Sequence, residues 1–371
     1  MNAYVVLLKR LLRSTSFWVT GALLSLFLLA PSLFSFDVFS LKSPRMVELS
    51  QVNLDLAKAN ASDNDPTKPE DLKDLDAQRY AALLRSQSAV SVTAYANELS
   101  HADEALKSAA DLGYGSWTLE DEAMLVYEKS AANLDVANSP KASGELSGLQ
   151  YISYSLALLP SFIWPLASLL ITNGAHDLLA RGSLMRRLPL STASRAASLS
   201  LACVTFPLIL FLMVLMPSFL VACLRNGIGN PSDAIVFIAG GTVQSTTTLT
   251  SSAMWVGSLW LSSSSLCLAS VLIHLVTDNS KAGIGGAVTL GVISSSPIAA
   301  LAISQCPLLK WTPIGYTDPA RFAGYYGCWP TTSMTPLNLV QGFGAVLVPL
   351  VWLGLIYALT MLVSVRSDCH A

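Results

Sequence analysis

Charge is scarce in this chain. Of its 371 residues only 12% are Asp, Glu, Lys or Arg, against 52% that are hydrophobic, a balance that fits a polytopic membrane protein carrying one soluble insertion. No G-x-x-x-x-G-K-[ST] motif occurs and even the dipeptide Gly-Lys is absent, so the chain has no phosphate-cradling loop of its own. There is no H-E-x-x-H either, which leaves a zinc protease without support. Six cysteines in a chain this long do not make a disulfide scaffold. Cys203, Cys223 and Cys267 fall in apolar runs, where a thiol behaves as a small hydrophobe. Cys306 and Cys328 share one polar loop and could pair if that loop lies outside, and Cys369 sits in the short tail. No catalytic, cofactor-binding or metal-ligating set is expected, and no nucleic-acid partner.

The few charges are unevenly placed. From Asp37 to Leu149 there are 19 acidic and 10 basic residues, whereas the rest of the chain has 5 acidic and 12 basic. Three regions follow: residues 1–36, an amphipathic start and a first apolar span; residues 37–149, an acidic insertion; and residues 150–371, which hold the remaining apolar spans. The start, MNAYVVLLKRLLRSTS, sets Leu7, Leu8, Leu11 and Leu12 at helical spacing beside Lys9, Arg10 and Arg13, which suits a membrane interface. Phe17 to Phe36 is the first span. A signal peptide is the competing reading, but the run exceeds the usual apolar core of one and lacks a clear A-x-A site.

Length and apolarity predict five more spans: Tyr151–Thr172, Leu199–Leu224, Ser252–Val276, Gly283–Ile303 and Val340–Val365. About 20 residues at 1.5 Å each cross roughly 30 Å of hydrocarbon. Pro160 and Pro165 should kink the second span. The passage Arg225 to Ser251 reads as a loop with an interfacial or re-entrant piece, because its Ile235–Ile238 patch is too short to cross. Ser304 to Asn338 is an aromatic-rich outer loop. Basic residues favour the loops assigned to the inside, which puts both termini in the cytoplasm and residues 37–149 outside. The expected fold is therefore an all-α integral membrane protein with six transmembrane helices and a helical extracytoplasmic domain between helices 1 and 2.

Within the insertion, Tyr95, Leu99, Ala102, Leu106 and Ala109 step by four and three, giving one apolar helical stripe that Gly113 should end. Thr118 with Asp121 three residues on is a cap signal for the next helix. Residues 60–70, NASDNDPTKPE, read as a break between helices.

Few side chains suggest chemistry. His274 and Asp278 are four apart and could form a proton or metal pair, or simply meet water at an interface. His101, His176 and His370 have no ligand-like spacing. Ser262 to Ser265 could line a polar path or pack helices closely through small side chains.

The connector 173–198 carries Asp177, Arg181, Arg186, Arg187 and Arg195, and contains GSLMRRLPLS from Gly182 to Ser191. A short helix ended before Pro189, between two spans, resembles the first cytoplasmic connector of the ABC-2 type transporter permeases, in the subgroup with an extracytoplasmic insertion. The resemblance implies an exporter subunit without its own ATPase, working as a homodimer or heterodimer in the lipid bilayer with a separate ATPase that uses the ATP. It also implies that Asp177, Gly182, Arg186, Arg187, Pro189 and, from the second connector, Lys281 contact that ATPase. The alternative is a membrane-anchored scaffold or receptor whose outer helical domain binds a partner. A membrane-embedded enzyme is a third class, disfavoured because ionisable residues avoid the middles of the spans. No substrate can be read.

Overall fold

The protein was analysed as a computed structural model that describes residues 3–34, 44–63, 65–133, 146–179, 190–239, 241–294, 297–323 and 343–369. Two hydrophobic cores organise these residues. One belongs to the acidic insertion, where α3 (Pro44–Ala61), α4 (Glu70–Ser88), α5 (Val92–Asp111) and α6 (Leu119–Ala132) pack in sequence order, each on the next. Its interior is small: Leu54, Ala82, Leu83, Tyr95, Leu99, Ala102 and Ala131 are buried. The stripe expected along α5 faces this core at Tyr95, Leu99 and Ala102, Ala109 is buried further along, and Gly113 follows the helix with φ +87°. Thr118 and Asp121 close a capping box at the start of α6, which satisfies two backbone N–H groups that the helix itself leaves orphaned.

The second core joins the apolar helices. α1 (Ala3–Leu12) and α2 (Thr15–Phe34) pack on α9 (Thr192–Asn226), which also touches α10 (Thr248–Thr277) and α14 (Phe343–Cys369). Trp164 is fully buried at this centre and stacks on Phe211 with ring centroids 4.7 Å apart. The apolar stripe of α1 does not lie open at an interface: Leu7 and Leu11 are 2% and 3% exposed, and the Tyr4 hydroxyl donates to Thr205 Oγ1 on α9 at 3.1 Å.

Six spans are not what the chain folds into. Among the described residues three helices are long and apolar enough to cross a membrane: α9, α10 and α14. A fourth arises only if α1 and α2, bent by 56°, count as one. The second expected span is broken into α7 (Gly148–Ala157) and α8 (Ile163–Thr172), ten residues each. Ten residues rise only about 15 Å. The break falls at Pro160, which lacks an N–H and pushes the residue before it out of helical geometry; Pro165 sits within the first turn of α8, where it is tolerated. The fifth expected span is described as α11 (Ser280–Ser294) and α12 (Pro297–Gln305), and residues 295–296 between them lie outside the described residues. The topology with both termini cytoplasmic and residues 37–149 extracytoplasmic falls with the count, since its tally of basic loops required six crossings.

The chain is not all-α either. Ala234–Ala239 (β1) and Thr242–Thr247 (β2) form an antiparallel hairpin, Ala239 opposite Thr242, in place of the expected interfacial loop. Gly241, just before β2, has φ +77°, a backbone region that tight hairpin turns use. The hairpin buries Ile235, Val236 and Phe237 and packs on α6, so it connects the two cores.

Candidate functional site

The seam between α8 and α10 is lined with small and polar residues at helical spacing. On one side stand Ser168, Thr172 and, in the 3-10 turn Asn173–Leu178 that continues α8, His176; on the other stand Cys267, Ser270 and His274. All six are buried. Thr172 Oγ1 donates to Ser168 O at 2.9 Å and lies 3.6 Å from Cys267 Sγ. His176 Nδ1 faces His274 Nδ1 at 3.1 Å, His176 Nε2 faces Ser270 Oγ at 3.0 Å, and the two imidazoles stack 17° from parallel.

The direction of these bonds follows from their last member. Ser270 Oγ donates to Cys267 O at 2.6 Å, so His176 Nε2 must be the donor to Ser270 and His176 Nδ1 must accept. That assigns the proton between the rings to His274 Nδ1, a tautomer set by the network. The chain runs His274 to His176 to Ser270 to a backbone carbonyl, inside the core. Gly283 of α11 lets this arrangement form, because a Cβ at that position would strike Ser270 O. Asp278 follows α10 in a left-handed conformation, φ 52°, and is exposed, whereas His274 is buried with its Nδ1 against His176. The signal that was available is the Ser168, Thr172, His176 repeat of four.

Beside the 3-10 turn a cavity of ≈ 200 Å³ opens against α1 and the α1–α2 bend. Its walls are apolar at Leu7, Leu11, Ile171 and Phe206, and its rim carries Arg10, Ser14, Ser16 and Asn173.

The acidic helical unit has a titratable pair of its own. Glu128 of α6 is 3% exposed and shares a side-chain hydrogen bond with Asp103 of α5. Burial pushes the Asp103 carboxyl up to about 6, opposed in part by the nearby Arg79 charge. Burial, then the neighbouring Asp103, pushes Glu128 well above the usual carboxylate range. One proton between two carboxyls at neutral pH accounts for both directions.

No family model, no curated protein and no solved structure matches the chain. The resemblance to an ABC-2 permease is overturned by the fold: three candidate crossings, a broken second span and a β-hairpin do not make the six-helix permease that it implied. The transport function and the ATPase-contact roles attached to it go with it. Gly182, Arg186, Arg187 and Pro189 lie outside the described residues, as does Cys328, the suggested partner of the exposed Cys306. Asp177 falls in the 3-10 turn, and Lys281 is exposed in the first turn of α11, which Asn279 caps by accepting from Lys281 N at 3.0 Å. Of the serine run, Ser262 to Ser265 are all buried, at 0–4% exposure.

Proposed function

We propose that the protein is a lipid-associated helical scaffold that works by binding rather than by catalysis, with the acidic α3–α6 unit as its polar, partner-facing part. The observation that carries this reading is α14. Its 23-residue apolar stretch is only 17% buried within the chain, against 56% for α9 and 61% for α10. Leu347, Val351, Leu355, Leu359 and Leu362 follow one another at helical spacing and are each about half exposed or more. A contiguous stripe of this kind in water is a liability, and an apolar medium removes the cost. Such an association needs neither transport nor a nucleotide-driven partner.

The test is flotation with phosphatidylcholine vesicles after detergent removal. The wild type is expected to float, and Leu355→Glu with Leu359→Glu to shift most of the protein to the bottom fraction at unchanged helical content. A wild type that stays dispersed in buffer without vesicles or detergent contradicts the reading.

A further inference from the structure

We infer that the Asp103–Glu128 pair is a proton-operated latch: one proton held between the two carboxyls keeps α6 on α5, and its loss to solvent frees α6 from that seam. The pair lies across the two helices, Asp103 on α5 and Glu128 on α6, joined by a side-chain hydrogen bond. Glu128 is 3% exposed, and its Oε2 is buried without a hydrogen-bond partner. Two carboxylates have no proton to donate to one another. Removing the last proton therefore turns the bond that closes the seam into a repulsion inside it.

The surrounding charges decide which state is tolerated. Arg79 of α4 favours an ionised Asp103, and Asp121 of α6 disfavours it. Tyr95 of α5, whose hydroxyl meets Ser50 of α3, lies within reach of the Glu128 charge and carries none of its own at neutral pH. The hairpin packed on α6 brings no charge, because neither AIVFIA of β1 nor TVQSTT of β2 contains an ionisable residue. With one proton the pair carries a single negative charge, which Arg79 balances. Without it, two negative charges face one cation in a desolvated place. Burial raises both carboxyls, so the proton is retained at neutral pH and leaves on the alkaline side.

Little else holds α6 to this seam. Its fully buried contribution to the core of the acidic unit is Ala131, with Met124, Tyr127 and Ala132 partly buried beside it, and small side chains bury little area. The ion pairs Lys107–Glu122 and Lys129–Glu104 tie the same two helices at 2.6 and 2.7 Å, but both are solvent-exposed, where such pairs are weak. α6 is also the helix that packs on β1 and β2, so the latch sits where the acidic unit meets the apolar body.

Double electron–electron resonance on the full chain in a maltoside detergent tests this, with genetically encoded spin labels at the exposed positions 97 of α5 and 133 at the end of α6. The population with a lengthened 97–133 distance should rise roughly tenfold or more between about pH 6 and about pH 9. Glu128→Gln and Asp103→Asn should each stay closed at both values, because an amide can donate and one carboxylate remains for Arg79. Asp111→Asn, an exposed acid on α5, should open as the wild type does. The inference is overturned if the wild-type distance does not change, if either folded amide variant opens as the wild type does, or if Asp111→Asn abolishes the opening. Labels at 77 of α4 and 97 should keep their distance at both values; lengthening there too means that the whole unit unfolds and also overturns the latch. No vesicle or partner is present, so the outcome is independent of whether the protein associates with lipid.

Discussion

A proton held between Asp103 and Glu128 makes the acidic unit sensitive to pH. Both carboxyls titrate higher in the folded unit than in an unfolded chain, where values near 4 are expected, with Asp103 at about 6 and Glu128 above the usual range. The folded unit therefore binds more protons than the unfolded one in that interval. Its stability is fully present below pH of about 4 and is lost as pH rises through the folded values. The thermal midpoint of the α3–α6 transition should be higher at pH 5 than at pH 8, by an amount on the order of 1–3 kcal/mol in stability. Glu128→Gln should remove most of that difference; an unchanged pH slope in that variant would show that the pair is not its source. The other buried network answers to substitution. His176→Ala leaves His274 Nδ1–H and Ser270 Oγ without their ring partner and should cost about 1–3 kcal/mol in a thermal scan, whereas Asp278→Ala, at an exposed position, should leave the imidazole chain intact. The Ser168, Thr172, His176 repeat marked one side of this network, but its meeting with His274, 98 residues on, was not legible from spacing within one segment.

At the scale of elements, the crossing of α10 and α11 depends on a missing side chain. A Cβ on Gly283 would strike the Ser270 backbone oxygen, while one on Gly285, two residues on, meets nothing within 4 Å. Gly283→Ala should therefore push the helices apart at a cost of about 1–3 kcal/mol, and Gly285→Ala should stabilise α11 by up to about 1 kcal/mol through helix propensity. Thermal midpoints of the two variants moving in the same direction would contradict the close approach. What could be read beforehand at this scale was local. The Thr118–Asp121 capping box and the α5 stripe depend on residues within a few positions of one another, and they fold as the spacing says. Apolar length counted residues but was blind to continuity, so Tyr151–Thr172 looked like one span although Pro160 divides it. The hairpin was not legible for a related reason: the short Ile235–Ile238 patch is one strand of a pair, and its partner β2 is Thr-rich and polar rather than apolar.

For the whole molecule, two cores of different character are joined through the β1–β2 hairpin against α6. The Ala-rich core of the acidic unit buries little area per residue, and the apolar body leaves a continuous stripe of α14 uncovered. Composition shows an acidic excess in residues 37–149 and an apolar remainder. It could not foresee how many helices would run unbroken, because proline breaks and chain packing decide that. The account turns on where α14 lies, and a fluorescent amino acid placed at position 355 or, for comparison, at the exposed position 62 reports it in reconstituted vesicles. Quenching by acyl-brominated lipid at 355 but not at 62, with iodide in the buffer showing the reverse, is the predicted result. Efficient iodide quenching at both positions, with no effect of the brominated lipid, would contradict lipid association.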